Sequence, residues 1–187
     1  MSKNQLFELE KHGQSVWIDN ISRSMLRQGN LKELVVDLGV RGLTSNPTIF
    51  DKAIGGSSDY DEQIASLAKS GKPVADVLEE LMVADISQAA DVLRPIYNQT
   101  GGNDGFVSIE VSPLLARDAS GTISAARRLF DRLNHPNVMV KIPGTPEGIP
   151  AIREALERGI NINVTLLFSV ENYEAVAQTY CEALRSR

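Results

Sequence analysis

The sequence predicts a parallel α/β fold, and three observations predict it. Short apolar runs alternate with segments of helical spacing along all 187 residues. Each apolar run carries a polar residue near its C-terminal end. No internal repeat, low-complexity tract or linker interrupts the alternation. Strands separated by helices are the pattern of βαβ crossovers, which lay successive strands parallel. Five such units can be counted. That number suits either a complete five-stranded doubly wound domain or the first part of a (β/α)8 barrel, which needs about 200 residues at the least and typically about 250.

The elements follow in order. Residues 4–12 read as a short charged helix, and "SVWID" (15–19) as the first strand. "ISRSMLRQGNLKELVVDLG" carries helical spacing, with Gly39 as its stop. "VRGLTSNPT" (40–48) gives the second strand and a turn, since Pro47 pushes Asn46 away from helix. A turn of helix, a Gly-Gly-Ser-Ser loop and a second helix come next, with Ser57 or Ser58 as the cap. Residues 73–98 form the longest helical pattern, predicted to place Val74, Val77, Leu78, Leu81 and Met82 on one face. "FVSIEV" (106–111) is the third strand, residues 122–134 a helix, and "VMVKI" (138–142) the fourth strand. "TPEGIPAIREALERG" is helical, "NINVTLLFS" (161–169) the fifth strand, and the apolar residues Tyr173, Val176, Ala177, Tyr180, Cys181 and Leu184 trace a last helix.

Composition narrows the class. An apolar content of 42% suits one compact domain spanning 1–187 with a real core. The net charge of −5 and the lack of any Lys/Arg stripe argue against nucleic acid as a partner. The N-terminal "MSKNQLFELEKHG" has no apolar h-region and does not read as a signal peptide, and no run of 18 apolar residues suggests a membrane span. The single Cys181 makes no internal disulfide, and His12 and His135 lie far apart without a Cys/His cluster, so a zinc site has little support, and the sequence shows no site for an organic cofactor. A soluble, cytoplasmic protein is the expectation.

The polar residues at the strand ends carry the chemistry. Asp19 closes "VWID", Thr44, Ser45 and Asn46 close "GLTSN", Glu110 interrupts "VSIEV", and Lys141 interrupts "VMVKI". Asn163 and Thr165 are two apart and share a face of the fifth strand. In parallel α/β folds the C-terminal strand ends form the active face. Each residue alone has an ordinary explanation: Asp19 as a helix cap, Asn46 as a turn former, Glu110 and Lys141 as a structural ion pair. Five on consecutive strands point to a site. An ammonium among apolar groups is disfavoured relative to the neutral amine, and a neutral amine attacks a ketone to give a Schiff base. Carboxylates at Glu110 and Asp19 would move protons. Lys141 has two further readings, as a phosphate-binding cation and as a structural partner for Glu110.

The motifs "GLTSNPTIF", "VSIEVSP", "VMVKIPGTPEG" and "GININVTLLFS" resemble the transaldolases, in their longer bacterial form, from about residue 14 onward. The resemblance implies a (β/α)8 barrel of which this chain covers the first five units. It implies Lys141 as the Schiff-base lysine on the fourth strand, Asp19 as the acid–base group, and Glu110 and Thr165 as holders of a proton-shuttling water. Asn46, Asn163 and Thr44 would bind substrate. The implied reaction moves a dihydroxyacetone unit from sedoheptulose 7-phosphate or fructose 6-phosphate to erythrose 4-phosphate or glyceraldehyde 3-phosphate, a step of the pentose phosphate pathway. The partners implied are small sugar phosphates, with a homo-oligomer as a further expectation. The related fructose-6-phosphate aldolases lack a glutamate at the third-strand position, so Glu110 favours the transferase. The family's "SPF…GR" segment and later basic residues, which hold the substrate phosphate, have no counterpart here. The chain therefore reads as a truncated transaldolase, inactive by itself and prone to associate through open sheet edges. The readings from other classes are a flavodoxin-like anion-binding domain, which should show a Gly-rich loop where "DNISRSM" has none, and a catalytically inactive fragment or interaction module.

Overall fold

A computed structural model describes residues 4–187; the first three residues of the charged N-terminal segment lie outside the described residues. The chain divides into two compact units, Met1–Val107 and Ser108–Arg187.

In the first unit, helix α1 (Gln5–Glu10) is capped by Asn4, whose side chain accepts from the Leu6 N–H. Strand β1 (Trp17–Asp19) leads to α2 (Arg23–Arg27), capped by Ser22, and α3 (Asn30–Asp37). The sequence reads α2 and α3 as one helix. Gly29 breaks it by taking φ 80°, a left-handed conformation that glycine adopts without steric cost. Strand β2 (Gly42–Thr44) lies parallel to β1, with Trp17 opposite Gly42, Ile18 opposite Leu43 and Asp19 opposite Thr44. A Cβ on Gly42 would come within 2.2 Å of the Trp17 ring, so the pair requires glycine there. Helix α4 (Pro47–Gly55) starts with Pro at its first turn, where the missing N–H costs nothing. Ser57 caps a short 3₁₀ turn (Ser58–Tyr60), and α5 (Asp61–Lys69) follows.

Helix α6 (Val74–Gln99) is the longest element, as its spacing predicts. Of the expected face, Leu81 is buried and Val77 and Met82 are half-buried. Val74 is 86% exposed and Leu78 42%, whereas Leu81, Ile86, Ala89, Ala90 and Leu93 are buried. The first turns extend into solvent, and burial begins only where the helix meets α2, α3 and α5. Asp85 joins the buried set because it has partners. Its Oδ1 accepts from Arg23 Nε at 2.9 Å and its Oδ2 from the Tyr60 hydroxyl at 2.8 Å. Arg23 Cζ stacks 4.3 Å from the Tyr60 ring centroid.

Strand β3 (Val107–Glu110) begins on the last residue of the first unit and continues in the second. There Asp118 caps α7 (Ala119–Leu133), which starts three residues earlier than its apolar spacing suggests. Asn134, at φ 48°, ends it. Strand β4 (Val138–Pro143) is parallel to β5 (Ile162–Thr165). Between them runs α8 (Gly148–Glu157), and α9 (Val170–Ser186) follows β5. The fifth strand is shorter than its apolar run suggests. Leu166 turns to φ 60° and leaves the strand direction, and Phe168 is 88% exposed.

The strand order is that of the chain, β1-β2-β3-β4-β5. A doubly wound sheet reverses its order at a switch point; no reversal occurs here. Parallel strands in sequential order, each followed by a helix, are the pattern of the first five units of a (β/α)8 barrel.

Candidate active site

The second unit brings four of the sequence-selected residues onto neighbouring strands. Lys141 lies on β4 among the buried Val140 and Ile142, and is itself 8% exposed. Its Nζ stands 3.5 Å from Glu110 Oε2 on β3. That is longer than the about 2.7–2.9 Å of a close charge-assisted hydrogen bond. The β4–β5 register sets Lys141 beside Asn163 and Pro143 beside Thr165. Asn163 Nδ2 donates to Ser108 Oγ at 3.0 Å, two residues before Glu110 on the same face of β3. Ser108 is fully buried and was not among the residues the sequence singled out. Its signal was its spacing: in "VSIEV" it shares the period of Glu110. Thr165 Oγ1 is buried without a hydrogen-bond partner. Such a hydroxyl is costly to bury in a folded protein.

The "PGTPEG" stretch after β4 has a local explanation. Thr145 Oγ1 accepts from the Gly148 N–H at 3.0 Å, and a Cβ on Gly148 would lie 2.0 Å from the Pro143 carbonyl oxygen. Glycine there lets the start of α8 close tightly on the end of β4 and so fixes the strand that carries Lys141.

In the first unit Asp19 and Thr44 are register partners at the C-terminal ends of β1 and β2. Ile18 and Asn20 line a cavity of about 670 Å³ with α2 and α3, so by alternation Asp19 projects from the other face of β1. Asp19 is exposed, and it does not cap the following helix, a role taken by Ser22. Thr44 Oγ1, like that of Thr165, is buried without a hydrogen-bond partner among the described residues. Asn46 is the N-cap of α4, its Oδ1 accepting from the Ile49 N–H at 2.9 Å. That bond occupies one atom of Asn46 and leaves its Nδ2 group for other contacts.

Among the described residues, no group of three or more His, Cys, Asp or Glu side chains is arranged to hold a metal ion. No described helix is long and apolar enough to cross a membrane.

A parallel strand–helix protein with a buried lysine on its fourth strand, flanked by a carboxylate and an amide from the strands on either side, is the class this geometry defines. Residues 16–184 match the family described as Transaldolase/Fructose-6-phosphate aldolase, and the chain belongs to that family. It is 48% identical over 187 residues to a transaldolase of Trichodesmium erythraeum, covering 100% of this chain and 49% of that protein. It is 46% identical over 187 residues to transaldolase 2 of Nostoc punctiforme, again covering 100% and 49%. Over 179 residues it is 49% identical to a transaldolase of Thermobifida fusca, covering 96% of this chain and 49% of that protein. The chain thus spans about half the length of the curated relatives it matches.

Proposed function

We propose that this chain carries the imine-forming machinery of a transaldolase, with Lys141 as the nucleophile. The observation that supports this most is the setting of Lys141: a buried amine on β4, 3.5 Å from the Glu110 carboxylate and beside Asn163. In this reading Lys141 Nζ, as the free amine, attacks the C2 carbonyl of a ketose phosphate. Proton transfers give a carbinolamine, which loses water to the protonated imine. Glu110 and Thr165 hold the water that carries those protons. Asp19 then takes the proton of the C4 hydroxyl. The C3–C4 bond breaks, the aldose phosphate leaves as an aldehyde, and the bonding pair passes into the imine to give an enamine. Asn46, Thr44 and Asn163 bind hydroxyls of the three-carbon unit, and Ser108 keeps the Asn163 amide in place. The enamine carbon then attacks an acceptor aldehyde, the alkoxide regains a proton from Asp19, and hydrolysis frees Lys141. Fructose 6-phosphate and sedoheptulose 7-phosphate are the proposed donors, and erythrose 4-phosphate and glyceraldehyde 3-phosphate the acceptors.

The experiment is borohydride trapping with fructose 6-phosphate, followed by peptide mass mapping. A reduced three-carbon or hexose-phosphate adduct is expected on Lys141, and none in Lys141→Met. An adduct on another lysine, or trapping that survives Lys141→Met, would overturn the assignment. Transfer to erythrose 4-phosphate, followed in a coupled assay, separates transaldolase from aldolase chemistry. Product release without an acceptor would favour the aldolase.

A further inference from the structure

Strand β4 lies between β3 and β5, and one side-chain hydrogen bond reaches across it. Asn163 Nδ2 on β5 donates to Ser108 Oγ on β3 at 3.0 Å. Asn163 is the register partner of Lys141, and Ser108 precedes Glu110 by two residues and so shares its face. The bond therefore runs over β4 on the N-terminal side of the Lys141–Glu110 pair. A hydroxyl in a strand interior is costly to bury without partners, and Asn163 supplies one. Ser108 is fully buried, too deep for a ligand to touch, so its influence on a ligand passes through Asn163.

The direction of this bond fixes the polarity of the amide. A carboxamide has a donor end and an acceptor end, which diverge in one plane. With Nδ2 turned to Ser108, Oδ1 is the end turned elsewhere. Asn163 is half-buried, and no hydrogen bond to its Oδ1 occurs among the described residues. The register places this acceptor next to Lys141. A ketone joined to Lys141 Nζ sets its neighbouring carbon beside the amide. A hydroxyl on that carbon donates to Oδ1. A methyl leaves Oδ1 unpaired, and an ether oxygen meets it lone pair to lone pair. Without the Ser108 oxygen the amide is free to turn over, because its two orientations have nearly the same shape.

We infer that Ser108 is a positioning residue that selects α-hydroxyketones: by holding Nδ2 of Asn163, it presents Oδ1 as an acceptor to a hydroxyl on the carbon next to the Lys141 imine. This rests on the imine chemistry proposed for Lys141 and adds the substrate feature that the site reads. The test is borohydride trapping on the 187-residue chain with hydroxyacetone, which donates, methoxyacetone, which only accepts, and acetone, which has neither group on that carbon. The native chain is expected to trap hydroxyacetone in preference to both others. Ser108→Ala should lower the ratio of hydroxyacetone to acetone trapping by about 3- to 10-fold, the scale of one neutral hydrogen bond. It should also relax the discrimination against methoxyacetone, as the amide turns its donor outward. Ser108→Cys, similar in volume but a weak acceptor, should shift the ratio the same way with an unchanged circular dichroism spectrum. Ser108→Thr keeps the hydroxyl and should hold the ratio within about twofold. A ratio untouched in the alanine and cysteine variants, or trapping of all three ketones lowered in equal proportion, would make Ser108 merely structural and overturn the inference. A native chain that traps methoxyacetone as readily as hydroxyacetone would overturn it too, while leaving Lys141 as the nucleophile. Trapping of no ketone, or trapping away from Lys141, would overturn the reading of Lys141 and this inference with it.

Discussion

Lys141 and Glu110 together carry the argument for chemistry at the scale of single residues. At 3.5 Å and an effective dielectric of about 20, their attraction is worth about 5 kcal/mol before costs. Removing two ions from water costs several kcal/mol each, so the pair contributes little net stability. Stability alone is therefore a poor reason to place a lysine between Val140 and Ile142. If Glu110 holds the water that moves protons, Glu110→Gln should slow imine trapping by about 10²–10⁴-fold with little change in melting temperature. A mutant that is destabilised but traps at the native rate would make the pair structural. Thr165→Val gives the complementary signature. Its Oγ1 is buried and unpartnered among the described residues, and such a group costs about 1–3 kcal/mol. The valine should leave stability unchanged or raise it by about 1 kcal/mol, and should slow trapping. Denaturant unfolding beside trapping kinetics measures both.

Packing sets the outcome at the scale of elements. The sequence shows that residues 73–98 form a helix, because its apolar period persists over seven turns. It points to Leu81, which is buried, but does not show how far along the helix that face is covered. Val74 and Leu78 lie on the predicted stripe yet face solvent, while the charged Asp85 is fully buried. Only the partners explain this, since Arg23 and Tyr60 come from sites 62 and 25 residues away. Removing one member of this set leaves an uncompensated buried charge. Asp85→Ala should cost about 3–5 kcal/mol, read as a lowered denaturation midpoint at an unchanged slope. A loss below about 1 kcal/mol would mean that water reaches Arg23. The β1–β2 pair makes a similar demand, since Gly42→Ala pushes a methyl into the only tryptophan. A shifted Trp17 emission with reduced stability is expected.

The pH dependence of unfolding belongs to the scale of the whole molecule. Burial, and then the hydrogen bond to Asp85, hold the Tyr60 hydroxyl protonated well above the ordinary range of a phenol. In the unfolded chain it ionises near about pH 10. The native state then binds the proton more tightly, so this contribution is intact below about pH 10 and is lost as pH rises beyond it. Denaturant unfolding at about pH 9 and about pH 11 should show stability falling, with one of the four tyrosines shielded from ionisation at 295 nm until the chain unfolds. Stability that rises over that interval contradicts the assignment. What the sequence determined by itself was the alternation of strand and helix and the position of each polar strand residue, because period and composition are local properties. Those were enough to select Asp19, Thr44, Asn46, Glu110, Lys141, Asn163 and Thr165 as candidates. The tertiary structure alone decided the break at Gly29, the short β5, the burial of Asp85, the bond from Asn163 to Ser108, and the exposure of Tyr173, Tyr180 and Leu184 on α9. Each of these depends on which surfaces distant parts of the chain cover, and no window of sequence contains that information.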